Sequence, residues 1–129
     1  MQSTRSTEVF IVDESLPVRL RLARLLGSMV SVRVVGEATS ANEAVEGIRR
    51  SHPRLVLLEL NLPGSTALDV MRKVRETDPD VVFAVLTNHS EPQYRDACLR
   101  AGARYFLDKS RDLDKVRAVV EEVVAGTQH

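Results

Sequence analysis

Leu55-Val56-Leu57-Leu58-Glu59-Leu60-Asn61-Leu62-Pro63-Gly64 decides how the rest of the chain reads. An apolar run of strand length carries one carboxylate at its end and then breaks at a Pro-Gly turn. A continuously apolar strand fits a parallel sheet covered by helices on both faces. A strand of that kind finishing in an acid places the acid at the carboxyl rim of the sheet, where ligands and chemistry sit in parallel α/β folds. Glu59 is therefore the first candidate functional residue.

Upstream of this stretch, residues 8–12 form a short β-rich run that stops at Asp13-Glu14. Ser15 is placed to cap a helix, with Pro17 tolerated in its first turn. Val18, Leu22, Leu25, Leu26 and Met29 follow the 3.6-residue period, which leaves Arg19, Arg21 and Arg24 mostly to solvent. Residues 32–38 predict a second, more mixed strand. Ser40-Ala41-Asn42-Glu43 is a capping-box pattern opening a helix with Ala44, Val45 and Ile48 inward, and His52-Pro53 ends it.

Downstream, Thr66-Ala67-Leu68-Asp69 opens a helix with Leu68, Met71 and Val74 inward, closed by Asp78-Pro79. Residues 81–86 are an almost wholly apolar fourth strand ending at Thr87. Ser90-Glu91-Pro92-Gln93 reads as another capping box, and Gly102 suits the left-handed turn that ends its helix. Residues 104–107 are a brief fifth strand leading into Asp108-Lys109-Ser110. A last helix puts Leu113, Val116, Val120 and Val123 on one face before fraying at Gly126.

Strand and helix alternate five times, so the expected fold is α/β, a flavodoxin-like (βα)5 doubly wound parallel sheet. The first, third and fourth strands are continuously apolar and should be central; the second and fifth are mixed or short and should be edges. That pattern matches the order 2-1-3-4-5, with the active rim between strands one and three. One domain over residues 8–125 is expected, after a polar, disordered lead-in at 1–7 and before a tail at 126–129.

Composition narrows the class further. The chain has 129 residues, enough for one domain with a real core. Eighteen basic and eighteen acidic side chains cancel, so no overall field favours nucleic acid or an anionic membrane surface. A single cysteine, Cys98, excludes an internal disulfide and fits a reducing compartment, as does the absence of an apolar signal segment near Met1. No apolar run approaches the roughly 18 residues needed to span a bilayer. A cytoplasmic protein is expected. His52, His89 and His129 share no metal-ligand spacing, and Cys98 sits mid-helix as a packing residue.

The rim holds the chemistry. Asp13 and Glu14 follow strand one, Glu59 strand three, Thr87 strand four and Lys109 strand five. In a doubly wound sheet these positions converge over one crevice although they lie tens of residues apart. Three carboxylates that close repel one another and need a cation or a proton to coexist. Oxygen ligands of this type suit Mg2+, while a lysine and a hydroxyl facing them would stabilise a phosphoryl group. Taken singly, each piece is ordinary helix-terminus or turn chemistry; four strand ends furnished together are much harder to obtain that way.

Val12-Asp13-Glu14-Ser15, the segment Leu57–Gly64, Val85-Leu86-Thr87, and Gly102-Ala103-Arg104-Tyr105-Phe106-Leu107-Asp108-Lys109-Ser110 together resemble a response-regulator receiver domain of two-component signalling, over roughly residues 8–125. The resemblance implies that Asp13 and Glu14 hold Mg2+, with Glu59 at the acceptor position and the Asn61 carbonyl as further ligands. It implies Thr87 as the hydroxyl that contacts a phosphoryl group, Lys109 as the cation that pairs with it, and Phe106 as an aromatic switch. A sensor histidine kinase or phosphotransfer protein would be the phosphodonor. The face of helix four, strand five and helix five, with Arg95 and Tyr105 as interface candidates, would engage an output domain, a partner protein or a second copy. Direct nucleic-acid contact within these residues is not expected.

One letter departs from the family at its centre: the phosphoacceptor is an aspartate, and here it is Glu59. Positioning dominates phosphoryl transfer, and a reacting atom misplaced by about 1 Å can cost about 100-fold. The extra methylene moves the nucleophile by about that much and pushes a carboxylate into the space a phosphoryl group would fill. Glu59 thus reads as a poor acceptor and a partial mimic, with one charge against roughly two for a phosphoryl group. Either the natural protein is a phosphorylation-independent pseudo-receiver, or an aspartate was replaced to imitate activation. Ala67 where Gly is usual, and Asn88 where a smaller residue is common, are milder departures. On the same fold, a flavin binder would need a phosphate-cradling loop after strand one, and Asp13-Glu14-Ser15-Leu16-Pro17 is acidic instead. A phosphatase with an aspartate nucleophile would need Asp-x-Asp after a strand, which is absent.

Overall fold

The computed structural model of the chain describes residues 6–127. In order these form β1 (Thr7–Val12), α1 (Leu16–Gly27), β2 (Val32–Ala38), α2 (Ala41–Ser51), β3 (Leu55–Leu58), β4 (Asn61–Leu62), β5 (Ser65–Thr66), α3 (Ala67–Arg75), β6 (Val82–Thr87), α4 (Pro92–Arg100), β7 (Tyr105–Asp108) and α5 (Val116–Thr127), the last entered through a 3-10 turn at Leu113–Lys115. The main sheet is wholly parallel in the order β2-β1-β3-β6-β7. With β6 and β7 as its fourth and fifth strands, this is the expected 2-1-3-4-5 arrangement.

Burial explains why these strands take these places. β3 and β6 are buried at every residue, whereas β2 on one edge is mostly half-buried or exposed. On one face of the sheet α2, α3 and α4 cover Phe10, Val56, Leu58 and Phe83 with Ile48, Val70, Met71, Val74 and Cys98. On the other, α1 and α5 cover Ile11, Leu55, Leu57 and Ala84 with Leu22, Leu26, Val116 and Val120. Strand alternation makes the division: Leu57 and Leu58, neighbours in sequence, belong to opposite cores.

Several local expectations change. The strand begins at Thr7, which is buried, so the lead-in is shorter than residues 1–7; its first five residues lie outside the described ones. α5 continues through Gly126 to Thr127, and the remainder of the expected tail lies outside the described residues. A small antiparallel ribbon, β4 with β5, folds the Pro63-Gly64 turn back on itself, with Gly64 at φ 90°. α3 stops at Arg75, three residues before Asp78-Pro79. α4 is capped by Glu91 without a side-chain bond, so Ser90 is not the capping residue. Ser15 and Ser40 do cap their helices, accepting from Val18 N–H and Glu43 N–H at 3.3 Å. Glu43 reaches back to Thr39, one residue earlier than a standard capping box, accepting from its N–H and its hydroxyl at 2.9 Å each.

Candidate functional site

The rim residues are carried one step past their strands by continued ladder bonds. Asp13 N–H donates to the Ala38 carbonyl at 3.1 Å, Glu59 N–H to the Val12 carbonyl at 3.0 Å, and Lys109 N–H to the Thr87 carbonyl at 2.9 Å. The crevice above β1, β3, β6 and β7 is therefore floored by backbone that the sheet itself holds in register. Three side chains meet there. The Lys109 ammonium lies 2.6 Å from Asp13 Oδ2 and is also bonded to Glu59 Oε1.

No oxygen of the two carboxylates is left over. Asp13 Oδ1 accepts from Ser15 N–H at 2.8 Å. Glu59 folds back on its own backbone, and Oε2 accepts from Leu60 N–H at 2.6 Å and Asn61 N–H at 3.3 Å. The side chains of Asp13, Glu59 and Lys109 are 5%, 12% and 12% exposed, so these contacts work at reduced dielectric, where pairing matters more than at the surface. Burial opposes the charge on Lys109, but hydrogen bonds to Asp13 and Glu59 outweigh it and hold the ammonium above the ordinary lysine range.

The other candidates separate. Thr87 is fully buried at the end of β6, and its hydroxyl accepts from His89 N–H at 3.1 Å, bracing the loop that leads to α4. Glu14 is exposed and contributes its backbone carbonyl, not its carboxylate, to a contact with Arg19. Asn61 is exposed on the β4 ribbon. Phe106 is half-buried against the core shared by α2, α3 and α4. Tyr105 faces the opposite core, and its hydroxyl bonds Glu122 of α5. Burial first, and then Glu122, raises the phenol above its usual range. Arg95 is exposed on α4.

Two residues that brace the rim were missed by reading the sequence. Arg19, expected in solvent, is 13% exposed: Nη1 bonds the Asp13 carbonyl at 2.6 Å and the Glu14 carbonyl at 3.2 Å, and Nε pairs with Glu37 at 3.1 Å. Helical periodicity assigns a face but does not follow a long side chain back to the turn before its own helix. Asp108 reads in the sequence only as a letter beside Lys109, yet it is buried and heavily bonded. A signal was available, since Asp-x-Ser is a pattern in which the acid bonds backbone two residues on.

Whether the expected Mg2+ fits depends on how these donors are arranged. Asp13, Glu14 and the Asn61 carbonyl are hard oxygen donors of the right chemistry. Their arrangement does not fit: Asp13 and Glu59 both close on Lys109, Glu14 faces solvent, and among the described residues no three His, Cys, Asp or Glu side chains are grouped to hold an ion. The cation at the centre of this crevice is an ammonium.

Comparison with known proteins agrees with the fold. The family model for the response regulator receiver domain matches residues 9–121. A putative transcriptional regulator of Pseudomonas aeruginosa is 32% identical over 123 residues, which is 95% of this chain and 59% of that protein. Response regulator UvrY of Escherichia coli K12 is 30% identical over 121 residues, 94% of this chain and 56% of that protein. The chain thus spans little more than half the length of these curated relatives. Among solved structures, a two-component response regulator of the LuxR family from Aurantimonas sp. SI85-9A1 superposes with a TM-score of 0.87 at 28% identity, covering 94% of this chain and 86% of that one. A chain of the CheX-CheY-BeF3-Mg2+ complex from Borrelia burgdorferi shares the fold, with a TM-score of 0.78 at 21% identity over 90% of each chain. The chain belongs to the response regulator receiver domain family of two-component signalling.

Proposed function

We propose that this receiver works through protein contacts in the cytoplasm with Glu59 at its phosphoacceptor position, and that Glu59 holds the rim in one charged state without accepting phosphate. The observation that carries this reading is the double engagement of the Glu59 carboxylate, one oxygen on Lys109 and the other on Leu60 N–H and Asn61 N–H. A nucleophile must present a free oxygen in line with its phosphodonor. Both oxygens of Glu59 are occupied, by the same kinds of group that would stabilise an added phosphoryl: a cation and backbone N–H donors.

The family match and the relatives favour this over a flavin binder or a phosphatase. Partners follow from the surfaces beside the site. Leu16 and Leu20, one turn apart on α1 and 54% and 56% exposed, lie next to the Asp13 rim, where a kinase or phosphotransfer protein would approach. The α4-β7-α5 face, with Arg95 and Tyr105, would serve an output domain or a second copy. Lys109 occupies Oδ2 of Asp13, so Mg2+ binding there would compete with the protein's own cation. Both origins of Glu59, a natural pseudo-receiver or a replaced aspartate, keep the same chemistry.

Incubation with acetyl phosphate and Mg2+ tests the reading. The chain itself is expected to remain unlabelled. The Glu59→Asp variant labels if the remaining rim was built around an aspartate, and stays unlabelled if the pseudo-receiver state is native. Stoichiometric labelling of the unchanged chain at Glu59 defeats the proposal.

A further inference from the structure

β7 ends in a residue that the rim chemistry does not use. Asp108 is buried yet acidic, a combination that is tolerable only when the carboxylate is well hydrogen-bonded. Its Oδ1 receives three donors, Ser110 N–H at 2.9 Å, the Ser110 hydroxyl at 2.6 Å and Arg111 N–H at 3.1 Å. Its backbone closes a second ring with Asp112: Asp108 N–H donates to Asp112 Oδ2 at 3.1 Å, and the Asp108 carbonyl accepts from Asp112 N–H at 2.7 Å. The hydroxyls of Ser110 and, from the loop after β6, Ser90 hold the Asp108 carboxyl well below the usual carboxylate range. The turn is thus tied from inside and also faces the loop that carries His89.

Lys109 is the residue enclosed by both rings. Its ammonium sits on a flexible four-carbon stem, whose rotamers must be frozen for it to bridge two carboxylates. That freezing is easier when the backbone that launches the stem has one direction. The Asp108 carboxylate is bonded to Ser110 and Arg111 and not to the Lys109 ammonium, so its influence runs through the backbone.

We propose that Asp108 is a positioning residue for Lys109: by fastening the turn over residues 108–112, it fixes the direction in which the ammonium leaves β7 and keeps it between Asp13 and Glu59. The register supports this, because Asp108 pairs with Thr87 in the sheet while Lys109 N–H holds the Thr87 carbonyl. One lock therefore sets the spacing between the strand end of β6 and the cation of β7. The proposal deepens the receiver reading, and only its second test rests on that reading.

The first test is side-chain NMR of Lys109 in the full chain. Ammonium protons shared between two buried carboxylates exchange slowly and give a protected signal. Asp108→Ala is expected to lose that protection while the amides of β1 and β3 keep theirs. Asp108→Asn, which retains Oδ1 as an acceptor, is expected to restore part of it, a rescue that lost packing alone would not produce. Ser110→Ala, at an exposed position, removes one donor and is expected to give an intermediate loss. A folded Asp108→Ala chain with an unchanged Lys109 signal overturns the proposal. If that variant fails to fold, unchanged signals in both Asp108→Asn and Ser110→Ala overturn it instead. In the second test, Asp108→Ala is added to Glu59→Asp, and the rate of labelling by acetyl phosphate is expected to fall by up to about 100-fold. An unchanged rate counts against the proposal. A Glu59→Asp chain that never labels is the outcome of a native pseudo-receiver and leaves the NMR result as the judge of Asp108.

Discussion

Replacing Lys109 with Met leaves Asp13 and Glu59 facing each other across a crevice with no cation between them. Breaking a fully buried pair costs about 3–5 kcal/mol; slight exposure and the retained N–H donors bring the expected loss here to about 2–3 kcal/mol in urea unfolding. The pH dependence has a definite sign. Lys109 is raised in the folded chain, so its contribution is complete below the unfolded lysine value of about 10.4 and disappears as pH climbs through the higher folded value. The advantage of the unchanged chain over Lys109→Met should stay level from neutral pH to about pH 10 and shrink only above that. An advantage already shrinking between about pH 7 and 9 would assign the effect to another group. At this scale the candidate site was half legible. Glu59, Asp13, Thr87 and Lys109 could be placed because each stands at the carboxyl end of a strand, and strand ends of a parallel sheet share a rim. Which way Glu14 turns, and what Glu59 grips, depend on side-chain torsions that no letter records.

At the scale of elements, two glycines and one ring decide how α2 sits on the sheet. A Cβ at Gly36 of β2 or Gly47 of α2 would come within 2.5 Å of the Phe10 ring. In most helix interiors Gly→Ala stabilises by about 1 kcal/mol through backbone entropy. Gly47→Ala should do the reverse and destabilise by about 1–3 kcal/mol, since the ring is buried and overpacking has no outlet. Pairing Gly47→Ala with Phe10→Leu should recover much of that loss; no recovery in thermal melts would mean the cost arises elsewhere in α2. These contacts are invisible in the sequence, where a glycine inside a helix does not name the ring it makes room for. The capping assignments divide in the same way. Ser15 and Ser40 precede strong apolar periodicity and do cap, whereas Ser90 turns its hydroxyl toward Asp108, far along the chain. The β4-β5 ribbon escaped because two-residue strands carry no periodicity to read.

For the molecule as a whole, the sheet separates two cores that share no buried side chain. Leu26→Ala on the α1 side and Ile48→Ala on the α2 side should each cost about 2–5 kcal/mol. Their effects should add to within about 0.5 kcal/mol, because no packed neighbour is common to both. A measured coupling above about 1 kcal/mol would show that the strands relay strain from one face to the other. The architecture was the most legible level of all, since alternation of apolar strands with capped amphipathic helices leaves few parallel topologies to choose from. The crevice sets a lifetime as well as a shape. An acyl phosphate is a clock: water attacks it, and the message it carries expires. The carboxylate of Glu59 reaches Lys109 through carbon–carbon bonds that water does not cut. Under the proposed function, whatever shape it imposes on the rim lasts as long as the polypeptide, so synthesis and degradation of the chain, rather than hydrolysis, would set the duration of its signal.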